Sequence, residues 1–372
     1  MRQGTRLPHD ATRMPGLPAP LLLHVFPSFE VGGAQVRFTT LANRFGNRYR
    51  HAVIAMDGRY GARARLDPAL DVSFPAFEPT PGDTLRTVRN AWRLLRHLRP
   101  ARLVTSNWGS IEWALANRGG LVPHLHTEDG FGPDERTRQL PRRIWTRRVA
   151  LAGHPVAVPS RTLERIATKT WRLSPPRVRY VPNGVDLARF TPTAHSLRDP
   201  PLIGTVAVLR AEKNVARLLR ALALLPAGAA RLLVIGDGPE RASLERLAAA
   251  LGIAAHVEWA GYIHDPAPML QTLDIFALSS DTEQMPLSLL EAMAAGLPAA
   301  CTDVGDVGMI LPAGQRPYIV PLGDAALATA LRDLIADPAL RASLGAANRA
   351  RAAAEFDQAA MFTAWDALYA GR

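Results

Sequence analysis

Cysteine and lysine are almost missing from this chain. One cysteine, Cys301, stands among 372 residues, which excludes an internal disulfide framework and fits a reducing compartment. Lysine occurs only as Lys169 and Lys213, so arginine supplies nearly all of the 44 cationic side chains. No apolar run approaches the roughly 20 residues that a membrane-crossing helix needs. Residues 1–20 carry arginine, proline and glycine without the apolar core of a signal segment; they read as a loose leader, with Met14 as an alternative start. These absences together indicate a cytoplasmic protein.

What is present describes a globular protein. Apolar residues make up 48% and charged residues 21%, so the chain can bury a core and is not disordered. The length is too great for one ordinary core and suits two domains of about 150–200 residues. The net charge of +11 is unevenly placed: residues 1–190 hold 30 basic against 14 acidic side chains, the remainder 14 against 19. Such asymmetry is a clue to partners, and nucleic acid, anionic lipid and acidic substrate are all compatible with it.

Periodicity predicts alternating strands and helices. Leu21 to Phe26, His51 to Met56, Arg102 to Thr105 and Leu121 to Thr127 read as strands, with helices over Leu85 to Leu98 and Ile111 to Asn117. A second cycle starts near Pro200. Its strands are Leu202 to Val208, Arg231 to Ile235, Val257 to Trp259, Ile275 to Leu278 and Ala299 to Cys301. Its helices are Val215 to Leu225 and Glu240 to Leu251, and residues 325–370 form alanine-dense helices. This alternation predicts an α/β fold with parallel sheets and right-handed crossovers.

The most informative stretch runs from Asp281 to Pro298. Pro286 is placed to open a helix, and Gly296 followed by Pro298 stops it. Glu283 then lies in the loop feeding the helix N-terminus, and Glu291 in its second turn. A helix N-terminus favours a phosphate, and two carboxylates beside it accept hydrogen bonds from sugar and ribose hydroxyls. The chemistry suggested is nucleotide-sugar binding; the alternative is a buried acidic helix in some other α/β protein.

This stretch resembles the E-x7-E signature of retaining, family 4-type glycosyltransferases (glycosyl transferases group 1) with two Rossmann-like domains, the GT-B fold. The chain keeps Glu283, Leu287, Glu291, Ala292, Gly296 and Pro298, and has Gln284, Met285 and Pro286 where the family has Gly-Phe-Gly. Proline at 286 offers no N–H to a donor. Arg210 and Lys213, before Asn214, match the family's Arg-x-x-Lys-Asn pattern, a cationic pair able to neutralise a diphosphate leaving group; a solvated cation at a helix start is the plainer reading. Gly236, Asp237, Gly238 and Pro239 resemble the family's turn at that point. Arg241 occupies the third glycine's place of a dinucleotide-binding pattern, which weakens a nicotinamide reading.

In the first half, Gly32 and Gly33 resemble the glycine-rich loop near the start of these enzymes. His126 ends the fourth strand, where the family often has a histidine facing the donor sugar; His124 competes for the role on the same strand face. Asn183, Gly184, Val185, Asp186 and Phe190 match the turn before the second domain, an architectural element. Arg136 to Val149 holds six arginines interleaved with Leu140, Ile144, Trp145 and Val149. Such a segment suits either an anionic membrane surface or a solvated helix over the core. After Cys301, Asp306 stands where many relatives have the second glycine of a pair.

The resemblance implies two Rossmann-like domains facing across a cleft. The expected divisions are a leader over 1–20, an acceptor-side domain over 21–190, a nucleotide-sugar-binding domain over 200–352 and a helix over 353–372 returning to the first domain. It implies transfer of a sugar from a nucleoside-diphosphate-sugar to an acceptor hydroxyl with retained configuration, in cell-envelope glycan or glycolipid synthesis, with no metal and no cofactor. Arg210 and Lys213 would hold the leaving group and Glu291 the ribose. Glu283 would contact the sugar, His126 would face it, and Gly33 and Leu287 would complete the binding residues. The partners implied are the donor, a glycan or lipid-linked acceptor and an anionic membrane at its inner face, without nucleic acid. Alternatives are a nucleotide-sugar epimerase of the same architecture and a non-enzymatic basic binding protein.

Overall fold

The computed structural model describes residues 18–135, 138–193 and 198–372. Most of the expected leader, including Met14, lies outside the described residues, as does Arg136. Two compact units are present: one reaches Val181 and takes in Phe362–Arg372, the other runs Pro182–Met361. No helix of the described residues is long and apolar enough to cross a membrane.

The first unit is built on strands β1 (Leu21–Phe26), β2 (Arg50–Ala55), β3 (Val72–Ser73), β4 (Arg102–Ser106), β5 (His124–Thr127), β6 (Val156–Val158) and β7 (Val178–Tyr180). They form a seven-stranded sheet in the order β3-β2-β1-β4-β5-β6-β7, every pair parallel. Its helices include α1 (Gly33–Phe45), α2 (Thr84–Leu98), α3 (Ile111–Ala116), α4 (Pro141–Leu151) and α5 (Arg161–Arg165). Alternation along β1 sends Leu23 and Val25 to one face, against Ala91 and Leu95 of α2 and Trp113 of α3. It sends Phe26 to the other face, against Phe29 and Phe38. Strand β5 begins at His124 rather than at Leu121, because Pro123 has no N–H for a ladder and the chain bends before it.

The second unit repeats the architecture with β8 (Leu202–Val206), β9 (Arg231–Ile235), β10 (Val257–Gly261), β11 (Ile275–Leu278), β12 (Ala299–Thr302) and β13 (Ile319–Val320). The order is β10-β9-β8-β11-β12-β13, again parallel. Helices α6 (Val215–Ala223), α7 (Arg241–Ala250), α8 (Ala267–Leu270), α9 (Leu287–Ala294), α10 (Val307–Ile310), α11 (Asp324–Ala336) and α12 (Pro338–Glu355) cover it. Leu289, Leu290 and Met293 of α9 are fully buried. At about 1.5–3 kcal/mol for each such side chain, packing rather than propensity holds this short helix in place. Cys301 is buried on β12, where burial pushes its thiol far above the usual range and keeps it unreactive.

The turn that opens this unit is tied to its far end. Val185 N donates to Phe356 O at 2.8 Å, and a Cβ on Gly184 would fall 2.5 Å from Gln358 Cα. The last helix, α13 (Gln358–Ala370), begins here, and its later residues pack in the first unit. There Tyr49 donates to Asp366 at 2.9 Å, and Arg37 lies over the Trp365 ring.

Candidate functional site

In the second unit the strand order reverses between β8 and β11, so loops leaving these neighbours diverge and open a crevice at the strand C-terminal ends. The sequence put its cationic pair on the loop after β8 and its acidic motif on the loop after β11. The fold brings the two together. Lys213 Nζ lies 2.6 Å from Glu283 Oε1, and Ser280 Oγ donates to the same oxygen at 2.7 Å. The Glu283 side chain is 8% exposed and that of Lys213 28%, which leaves the ammonium reachable by a ligand.

A further set of contacts fixes the loops behind this one. Asn214 adopts φ +41°, caps α6 by accepting from Arg217 N, and donates through Nδ2 to Asp281 Oδ1 at 3.0 Å. Arg217 donates to Asp281 Oδ1 and to Ser279 O, each at 2.7 Å. Asp281 N in turn donates to Glu212 O at 2.9 Å. Arg217, Asp281 and Ser280 were not among the expected site residues. No local sequence signal marks them: Arg217 meets Asp281 only because the loops after β8 and β11 run side by side.

The loop after β12 closes on the same segment. Gly305 has φ +56°, and a Cβ there would fall 2.1 Å from Glu283 O. Asp306 N donates to Gln284 O at 3.2 Å, and Thr302 Oγ1 to Ser280 O at 2.6 Å. Glycine is therefore required at 305 both by conformation and by space.

Pro286 is the N-cap of α9, extended at ψ 117°, and not its first helical residue. The expectation that it opens the helix is corrected by one position. Its ring turns the chain into the helix, and Leu287 takes the first helical place. Glu291 is half-buried in the second turn of α9. Met285 is buried and accepts from Asn183, N to Sδ at 3.2 Å and Nδ2 to the carbonyl at 3.1 Å. Arg210 is exposed on the loop after β8, and its carbonyl accepts from Lys213 N.

Gly236 and Gly238 lock this loop from the β9 side. A Cβ on Gly236 would meet Ala207 O at 1.8 Å, and one on Gly238 would meet Leu209 O at 2.6 Å. Leu209 N donates to Asp237 O, and Glu240 N returns to Leu209 O. The glycines thus serve the close approach of two backbones.

In the first unit Gly33 is exposed as the first residue of α1, with open space around its Cα. His126 is fully buried. Its Nδ1 lies 2.8 Å from Thr105 Oγ1, which lies 2.8 Å from His124 Nε2 as well. A hydroxyl has one proton, so it donates to one ring and accepts from the other. Burial, then the neighbours His154, His126 and Arg102, push His124 well below the usual histidine range and keep it neutral. His126 Nε2 has no hydrogen-bond partner among the described residues and stands 3.6 Å from Glu128 Oε2.

The expected basic segment around α4 is not simply solvated. Arg147 is fully buried between the rings of Trp108, Phe131 and Trp171 and bridges Glu128 at 3.2 Å and Glu135 at 3.0 Å. Burial raises the Glu135 carboxyl, but hydrogen bonds from Arg147 and Arg143 outweigh it and hold the group below its usual range. Among the described residues no three His, Cys, Asp or Glu side chains converge to hold a metal ion.

Family models agree with this arrangement: glycosyl transferases group 1 matches residues 191–351, and glycosyltransferase family 4 matches residues 31–189. The chain is 28% identical over 218 residues to the lipopolysaccharide core biosynthesis glycosyltransferase LpsE of Rhizobium meliloti, covering 56% of this chain and 62% of that protein. It is 32% identical over 188 residues to a GDP-mannose-dependent alpha-mannosyltransferase of Mycobacterium tuberculosis, covering 46% of this chain and 47% of the relative. The chain thus spans about half the length of such curated relatives. The fold is that of Anabaena HepE, solved in complex with UDP, at a TM-score of 0.78 and 17% identity, covering 95% of this chain and all of that one. With its paired parallel α/β units, its matches over both halves and its Glu283–Glu291 motif, the chain belongs to the group 1, family 4 glycosyltransferases of GT-B fold.

Proposed function

We propose that the protein transfers a sugar from a nucleoside-diphosphate-sugar to an acceptor hydroxyl, keeping the anomeric configuration, in the synthesis of a cell-envelope glycan or glycolipid. The observation that carries this reading is the 2.6 Å pairing of Lys213 with Glu283 at the strand-order reversal. In it, Lys213 and the exposed Arg210 meet the diphosphate, and their charge stabilises the leaving group as the glycosidic bond breaks. Glu283, released in part from Lys213 by the incoming phosphate, accepts from sugar hydroxyls. Glu291 accepts from the ribose, and Leu287 at the start of α9 lies against the nucleotide. In this reading His126, whose Nε2 makes no hydrogen bond among the described residues, serves the sugar, and Gly33 allows close approach at the start of α1. The reaction runs without a metal cofactor, the cations of the β8 loop supplying the positive charge.

The activities of the relatives, lipopolysaccharide core biosynthesis and GDP-mannose-dependent mannosyl transfer, support a bacterial envelope acceptor. The excess positive charge of residues 1–190 supports action in the cytoplasm at the anionic inner face of a membrane, on a lipid-linked or glycan acceptor. A thermal-shift screen against nucleoside diphosphates and their sugar conjugates, with and without divalent cations, tests the donor reading. Stabilisation by one base family, lost in Lys213→Ala, supports it; no shift with any of them overturns it.

A further inference from the structure

The helical layer of the first unit carries a groove where the chain enters β6 and β7, beside His154, whose ring lies 4.7 Å from that of His124. It is lined where the chain enters the strands: Arg118 beyond α3, Arg148 near the end of α4, His154 before β6, and Arg172 and Arg177 before β7. Its volume is about 380 Å³, and a second lobe of about 310 Å³ shares Trp145, Arg148 and Arg172 with it. Leu173 and Val149 supply an apolar wall, and Trp145 stands 62% exposed at the rim.

The charge in this groove is of one sign. All four arginines are exposed, and no aspartate or glutamate lines either lobe. Other arginines of the fold are paired with acids, Arg147 with Glu128 and Glu135, Arg143 with Asp134 and Arg217 with Asp281. His154 senses the field: burial first, and then the Arg177 guanidinium, lower its pKa. Four like charges around one concavity repel each other, and an anion between them removes that repulsion. Guanidinium groups suit phosphate in particular, because their paired N–H donors match its oxygens. An exposed indole beside them offers a flat apolar face to whatever carries the phosphate.

We propose that this groove is a second anion site, which binds a phosphate-bearing ligand of at least two negative charges against Arg148 and Arg172, with Trp145 covering its apolar part. The site is independent of the donor loops of the second unit. Its ligand is either a soluble diphosphate or the phosphate of a lipid headgroup.

Calorimetric titration of the full chain with inorganic pyrophosphate at fixed ionic strength tests this, alongside Trp145 fluorescence. Saturable binding is expected in the wild type and in Lys213→Ala, and it is weakened roughly tenfold or more when Arg148→Ala and Arg172→Ala are added to Lys213→Ala. The fluorescence change disappears in Trp145→Phe. Retention in Lys213→Ala separates this site from the donor site, so either reading can fail alone. Co-sedimentation with phosphatidic acid vesicles but not with phosphatidylcholine vesicles, lost in the double variant, identifies a lipid source; pyrophosphate binding alone identifies a soluble one. Binding that survives the double variant in the Lys213→Ala background, or that sodium chloride of equal ionic strength reproduces in both assays, overturns the proposal.

Discussion

Lys213 Nζ and Glu283 Oε1 stand 2.6 Å apart although seventy positions separate them in the chain. The pair joins the loop after β8 to the loop after β11, and Ser280 Oγ donates to the same carboxylate oxygen. An ammonium held this way is already oriented when a ligand arrives, so little entropy is lost on binding.

Lys213→Ala is expected to lower kcat about 100-fold, because the proposed reaction then loses a cation facing the developing diphosphate charge. The fold should change little, within ~1 kcal/mol, since the pair is partly exposed and its partner keeps Ser280. Steady-state kinetics with a matched thermal melt checks both halves. A full-rate variant would remove Lys213 from the site.

Glu291→Gln keeps the size of a half-buried side chain and removes its charge. Donor affinity is expected to fall roughly tenfold, as for a charged hydrogen bond made neutral. Calorimetric titration with the nucleoside diphosphate found in the screen measures it, and unchanged affinity would place the ribose elsewhere.

Gly305→Ala puts a Cβ 2.1 Å from Glu283 O at φ +56°. Loop and residue cannot both stay, and a destabilisation of at least ~1–2 kcal/mol follows from the backbone conformation alone. Denaturant unfolding reads the stability, and donor binding should weaken with it because Glu283 must move. A variant as stable as the wild type, with unchanged binding, would contradict the close packing of the two loops.

His24 Nε2 and His51 Nδ1 lie 3.1 Å apart in the core of the first unit. Burial, with His51 as neighbour, pushes His24 well below the usual range, and burial lowers His51 to about 4. The unfolded chain binds these protons first, so stability is full above pH about 6.5 and falls as the pH drops toward about 4. The slope from one such proton is about 1.4 kcal/mol per pH unit at most. Urea midpoints measured between pH 7.5 and 4.5 should show this loss. The double variant His24→Phe, His51→Phe should flatten it in part, since His124 is lowered in the same direction. An equal slope in both proteins would rule the pair out as its source.

Sequence alone determined the α/β alternation, because a strand buried on both faces needs a continuous apolar run and a covering helix needs its own period. Leu21 to Phe26 and Ile275 to Leu278 were legible as strands to the residue. The E-x7-E spacing likewise placed Glu283 in a loop and Glu291 on a helix, since proline and glycine punctuate the chain locally. Pairing across the chain was not legible. Arg147 carries the same spacing as its solvated neighbours, and only the approach of Trp108, Phe131 and Trp171 turns it into a buried cation. Thr105 linked to both His124 and His126 required the register of β4 against β5. The demand for glycine at 305 came from the backbone of Glu283, which the sequence could not bring near. Local chemistry is written in neighbouring residues and can be read from them; which distant groups meet, and which charge is left facing an open groove, depends on the packing of the sheets.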